Sequence, residues 1–194
     1  MPRPLANDDR LESRTEGPAV AVREIRLYGD PVLRTVADPV DQFGEATRAL
    51  AEDLLDTLAV PGRAGVAAPQ IGVPLRAFSY GTTGQRGVVF NPVLVATEGE
   101  QLDEEGCLSV PGLWFPTRRA AYAKVSGFDA DGEPVEVEGE EELARCLQHE
   151  TDHLEGIVYV HRLEPSTRRG AMRSIRRSAW FDDGASSRHP SPTH

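Results

Sequence analysis

Two stretches of this chain carry the 3.6-residue apolar repeat of helices packed along one side. From about Glu45 to Ala59, the residues Ala46, Ala49, Leu50, Leu54, Leu55 and Leu58 fall together, and Pro61-Gly62 ends the run. Further along, Leu143, Cys146, Leu147, Glu150 and Leu154 recur at spacings of three and four, and Gly156 stands where a left-handed residue ends a helix. Glu138, Glu140, Glu141 and Glu142 load the start of this second helix with the negative charge its dipole favours. Between the two helices the pattern shortens. Leu75 to Tyr80, Val88 to Val95 (interrupted by Pro92), Ala120 to Phe128 and Pro134 to Val137 read as strands, the last two joined by the turn Asp131-Gly132. Val20 to Val40 is extended and punctuated by Gly29-Asp30-Pro31 and Asp38-Pro39. Helix, several strands, then helix predicts an α+β fold rather than alternating βαβ units.

The ends differ from the middle. Residues 1–19 are polar and aperiodic, which predicts a mobile tail ahead of one domain over 20–165. Residues 166–194 form a basic segment: Arg168, Arg169, Arg173, Arg176 and Arg177 alternate with Met172, Ile175 and Ala179 at helical spacing, and a polar, proline-containing tail follows. The arginines suit a phosphate backbone, and they equally suit a solvated amphipathic helix packed on the domain.

The second helix carries the chemistry. In Gln148-His149-Glu150-Thr151-Asp152-His153 the two histidines are four apart, so they share a helix face and can reach one metal ion. Glu150 follows His149, turned about 100° round the axis, and is placed to act as a general base on water at that ion. It also interrupts the apolar stripe, an expensive position for a carboxylate without charged or hydrogen-bonded work. The plain alternative is a surface helix with two solvated histidines. The pattern favours metal-assisted hydrolysis.

A catalytic site of this kind needs a third protein ligand. The longer protease pattern, with a third histidine after the glycine, fails because Tyr159 holds that position and His161 comes two residues late. No downstream glutamate on a further helix replaces it. Cys146 lies one turn before His149 but about 10 Å along the axis from His153, too far for both to converge, so it reads as a pocket-lining thiol. Cys107, in the glycine-flanked loop Glu105-Gly106-Cys107-Leu108-Ser109-Val110-Pro111-Gly112, approaches from elsewhere in the chain. It reads either as the ligand or as a packed thiol.

Composition narrows the setting. A chain of 194 residues supports one good core, and a net charge of −10 argues against general nucleic-acid affinity. Two cysteines are too few for a disulfide framework and suit a reducing cytosol. Neither a signal-peptide pattern nor an apolar run of membrane-spanning length occurs, so a cytoplasmic protein with no membrane partner is expected.

Taken together, Leu27-Tyr28-Gly29-Asp30-Pro31-Val32-Leu33-Arg34, Gly65-Val66-Ala67-Ala68-Pro69-Gln70, Glu105-Gly106-Cys107-Leu108-Ser109 and the histidine helix resemble peptide deformylase over about residues 22 to 165. The resemblance implies small antiparallel sheets packed around a central metal-binding helix. It implies Cys107, His149 and His153 as ligands of ferrous iron, with zinc, nickel or cobalt able to substitute. The implied reaction removes the formyl group from N-formylmethionyl nascent peptides and releases formate. Glu150 would be the base, with the Gln70 side chain and the Leu108 backbone N–H stabilising the oxyanion. Ala64, Gly65, Val66 and Cys146 would bind substrate, and the basic C-terminal segment resembles a ribosome-docking tail.

The chain departs from the family at three places. Arg63 replaces a glycine and is expected to alter the cleft mouth, and Ala64 replaces a larger aliphatic residue and is expected to widen the pocket. After the cysteine loop, Leu113-Trp114-Phe115-Pro116 carries no arginine before Arg118 and Arg119. Two other readings are a generic metallopeptidase and a catalytically silent peptide-binding relative. Formate release from formyl-Met-Ala-Ser with its peptide bonds intact separates a deformylase from the metallopeptidase, and the intact ligand set and Glu150 speak against the silent relative.

Overall fold

The computed structural model describes residues 22–82 and 84–181. The expected tails at 1–19 and 186–194 therefore lie outside the described residues. In chain order the elements are α1 (Glu45–Leu58), β1 (Gly65–Ala67), β2 (Ala77–Thr82), β3 (Gln85–Glu98), β4 (Gln101–Cys107), β5 (Val110–Arg119), β6 (Tyr122–Phe128), β7 (Pro134–Glu140), α2 (Glu141–Leu154) and α3 (Pro165–Arg177), with short 3₁₀ turns at Pro31–Arg34, Ala68–Ile71 and Tyr159–His161. An antiparallel sheet of order β1-β2-β3-β6-β7 forms the body, and β4-β5 is a separate two-stranded sheet.

Alternation along the strands places the two long helices on opposite faces of the main sheet. Ala77 and Phe90 pack with Leu50, Leu54 and Leu58 of α1. Their neighbours Phe78 and Val89 pack with Leu143, Ala144, Leu147 and Leu154 of α2. A third cluster joins Leu33, Val110, Val158, Tyr159 and Val160 to Ala171 and Ile175 of α3. The C-terminal helix is thus seated on the domain by its apolar side, while Arg168, Arg169, Arg173, Arg176 and Arg177 face solvent.

Both apolar repeats become helices close to their expected bounds, and Gly156 has φ 69 beyond the end of α2. The acidic run is divided differently. Glu138 and Glu140 belong to β7, where Glu138 accepts from Tyr122 Oη at 2.9 Å and faces Lys124 Nζ at 3.5 Å, so only Glu141 and Glu142 occupy the first turn of α2. Pro92 does not end its strand. It falls at a bulge in β3, where Asn91, with φ 47, exchanges two 2.8 Å hydrogen bonds with the backbone of Val40.

The largest departure is the hairpin β4-β5, which sequence reading leaves as a loop. Leu102 is exposed and Glu105 buried, the reverse of the polarity that marks a half-buried strand. Cys107 closes β4, so the fold delivers the thiol on the last residue of a strand.

Because Ile175 is fully buried, Ile175→Ala is expected to destabilise the whole domain by about 2–5 kcal/mol, read as a lower midpoint in urea unfolding at unchanged slope.

Candidate metal centre

Three side chains from two elements meet beneath a cleft of ≈ 470 Å³. His149 and His153 stand one turn apart on α2, ring centroids 5.0 Å apart, and Cys107 reaches them from the end of β4. The Cys107 Sγ lies 3.3 Å from His153 Nε2, and one ligand atom from each of Cys107, His149 and His153 lies within 4.8 Å of the others. Cys146 stands apart from this group, buried, with its thiol donating to the Ala64 carbonyl at 3.2 Å. Burial, reinforced by Glu150, pushes that thiol well above the usual range and leaves it unreactive.

The electrostatics fit a cation. Burial would strip the proton from His149, but Cys107 and Glu105 together hold it far more tightly than usual. A group that keeps a proton so firmly in the interior is one where a divalent cation can take the proton's place. Burial and the neighbouring His149 instead hold His153 neutral, the form that ligates. Its Nδ1 is buried and finds no hydrogen-bond partner among the described residues. A thiolate and two imidazole nitrogens make a three-ligand set of the kind that leaves a position open for water or substrate.

Glu105 orients the first histidine. Its Oε1 accepts from His149 Nδ1 at 2.7 Å and from Arg119 Nη2 at 2.7 Å, and its Oε2 from Arg119 Nε at 3.0 Å and Arg145 Nη1 at 2.6 Å. Burial works to raise the Glu105 carboxyl, but His149 and Arg119 outweigh it and hold it well below the usual carboxylate range. Arg119 continues to Asp152 at 2.7 Å, which also takes both bonds of the Arg162 fork, at 2.6 and 3.0 Å. The result is an alternating chain of charges, Arg145, Glu105, Arg119, Asp152, Arg162, running past the candidate ligands.

Sequence reading missed this chain. Glu105 and Asp152 stand inside motifs read for their cysteine and histidines, and Asp152 directly precedes His153. Arg119 gave no signal of this role, because its partners lie 14 and 33 positions away. Tyr159, at the position of the missing third histidine, stacks on His149 with centroids 6.1 Å apart and fixes its hydroxyl on the Leu113 carbonyl at 2.8 Å.

The other expected residues are distributed unevenly. Glu150 is buried in the cleft wall, and its Oε2 has no hydrogen-bond partner among the described residues. Burial pushes its carboxyl up to about 7, against the pull of His149 and with help from Glu105. Gln70 is buried with Oε1 held by the Ala67 N–H at 2.8 Å, which turns its Nε2 toward Cys107 Sγ at 3.5 Å and Ser109 Oγ at 3.3 Å. Leu108, Ala64, Gly65 and Cys146 all line the cleft. Val66 does not. It is fully buried against α1 with Leu54, Ala77 and Phe90, on the opposite face of its short strand, and Ala67 and Ala68 are likewise core residues.

Gly65 owes its lack of a side chain to the residue packed against it. A Cβ there would collide with Glu150 Oε1, so the bare backbone makes room for the carboxylate itself. Arg63 borders the cleft, but its Nη1 donates to the Thr57 carbonyl at 2.6 Å in the last turn of α1, which ties the charge to a helix C-terminus.

A sequence model described as "Polypeptide deformylase" matches residues 22–169. The peptide deformylase of Acidothermus cellulolyticus is 52% identical over 161 residues, covering 83% of this chain and 89% of the relative. Peptide deformylase 1 of Corynebacterium glutamicum is 47% identical over 168 residues, covering 84% and 99%. The crystal structure of peptide deformylase from Thermus thermophilus superposes with a TM-score of 0.78 at 40% identity, covering 86% of this chain and 99% of that one. Matched in sequence and in fold along most of its length, this chain belongs to the peptide deformylase family.

Proposed function

We propose that this chain hydrolyses the formyl group from N-formylmethionyl nascent peptides, releasing formate and a free amine. One observation carries the reading: ligand atoms of Cys107, His149 and His153 within 4.8 Å of one another, beside a cleft into which Glu150 brings an unpaired carboxylate oxygen. A divalent cation bound by these residues polarises a carbonyl and acidifies water. The family resemblance implies ferrous iron, and the same thiolate and imidazole donors accept zinc, nickel or cobalt.

The chain's own residues do the rest. Glu150, buried and poised near neutrality, takes a proton from the attacking water and returns it to the departing amine. Negative charge on the formyl oxygen is met by Gln70 Nε2, already aimed by the Ala67 N–H on its other end, and by the Leu108 backbone N–H. Ala64, Gly65 and Cys146 on one side and Leu113 on the other bound the space for the methionine.

Residues 20–165 form the catalytic unit, and 166–194 are a basic appendage whose helix is anchored by Ala171 and Ile175. No helix among the described residues is long and apolar enough to cross a membrane. Nascent chains as substrate put the reaction in the cytoplasm, with the exposed arginines of α3 as the contact for ribosomal RNA.

Anaerobically purified protein, with its metal quantified, is expected to release formate from formyl-Met-Ala-Ser and leave the peptide bonds intact. Glu150→Ala is expected to keep the metal and lose roughly 10²–10⁴-fold in kcat. Peptide-bond cleavage, or full turnover by that variant, overturns the assignment.

Gly65→Ala tests the packing beneath the base. Its methyl displaces the Glu150 carboxylate, so kcat should fall roughly 10²-fold at unchanged metal content.

Removing α3 outright would expose the core that Ile175 covers, so charge reversal is the sounder probe of ribosome contact. Arg168→Glu, Arg173→Glu and Arg176→Glu combined should abolish cosedimentation with ribosomes and spare formate release from the tripeptide. Unchanged cosedimentation removes the ribosome from the reading.

A further inference from the structure

Arg145 lies on α2 one turn before His149 and lines the cleft, yet its guanidinium is turned away from open solvent. Its side chain is only 12% exposed. Nη1 donates to Glu105 Oε2 at 2.6 Å and to the Thr117 carbonyl at 2.9 Å, and Nη2 reaches Gln101 Oε1 at 3.3 Å. One arginine therefore touches the substrate cavity, the hairpin β4-β5 and the carboxylate that orients a metal ligand.

The four donors on Glu105 do not have equal roles. Arg119 grips the carboxylate as a fork and also neutralises buried Asp152, so it belongs to the fold as much as to the site. Oε1 is shared between that fork and His149 Nδ1. Oε2 is shared between the fork, at 3.0 Å, and Arg145, at 2.6 Å. Without Arg145, only the longer bond restrains Oε2. The carboxylate can then tilt about the Arg119 fork, and the imidazole hydrogen-bonded to Oε1 must follow.

We infer that Arg145 is a positioning residue for the metal centre: by holding Glu105 Oε2 it sets the direction in which Oε1 aims the His149 imidazole at the ion. The inference rests on the assignment of Cys107, His149 and His153 as metal ligands. A competing, purely structural role would have Arg145 do no more than fasten the hairpin to α2 through Thr117 and Gln101. The two roles differ in what happens once Glu105 can no longer act as the intermediary.

The test strips metal from the full-length protein and measures rebinding of Co²⁺ by chelator competition, with the thiolate-to-cobalt absorption band as a second readout. Unfolding of each metal-free variant is followed in parallel. Arg145→Leu should weaken Co²⁺ binding roughly 10- to 100-fold and shift the band, as loss of an outer partner of a ligating histidine does. Arg145→Lys, able to keep one of the bonds, should fall between, and it carries the test if the leucine variant does not fold. In a Glu105→Gln background, Arg145→Leu should add no more than about twofold, because coupled residues are not additive. Co²⁺ affinity unchanged in both Arg145 variants, or a full extra loss on top of Glu105→Gln, overturns the inference. Wild-type protein that binds no Co²⁺ instead overturns the metal assignment beneath it.

Discussion

A buried carboxylate that cannot be left unpaired organises this molecule. Glu105 is 3% exposed, and an uncompensated charge at such depth costs about 3–5 kcal/mol. It is relieved only where Arg119, Arg145 and His149 converge, so the hairpin must dock on α2 in one register. Cys107 follows Glu105 by two residues at the end of β4, and with Glu105 docked on His149 its Sγ lies 3.3 Å from His153 Nε2. A slip of one residue would turn both outward. The ion pairing that fixes the hairpin is thus the same constraint that assembles the ligand set.

Two of the three buried carboxylates around this site, Glu105 and Glu150, are treated in opposite ways. Glu105 has every oxygen satisfied by cationic donors and is held firmly ionised. Glu150, next to His149 on α2, has one oxygen unpaired and is pushed up to about 7. Environments that drive like groups apart suit them to different roles: one fixes geometry, and the other is the proton carrier of the proposed reaction. The sorting depends on backbone as well as charge, since the space for Glu150 exists only because residue 65 carries no side chain.

Both helices were legible in the sequence because leucine repeats report one-sided packing directly. So were the histidine pair, its glutamate and the turn at Asp131-Gly132. Hairpin β4-β5 was not, because its inward residue is Glu105 and its outward one Leu102, and periodicity reads polarity rather than pairing. Cys107 was therefore found through its motif and not through its strand. Val66 shares a motif with Gly65 but turns to the opposite side, a distinction that needs the sheet's orientation. Arg119 stood out only as one of two arginines following the cysteine loop, and its long-range partners could not be guessed from spacing.

Tyr159 fills the place where related zinc motifs carry their last histidine, so the helix alone supplies only two donors. The third comes from a separate sheet, with Cys107 and His153 46 positions apart in the chain. No short peptide cut from this protein contains the whole nest, and the unfolded polypeptide has none. An ion that closes a loop of that length behaves as a reversible clasp, and tightening it resists the separation of hairpin from helix as a disulfide would in an oxidising compartment.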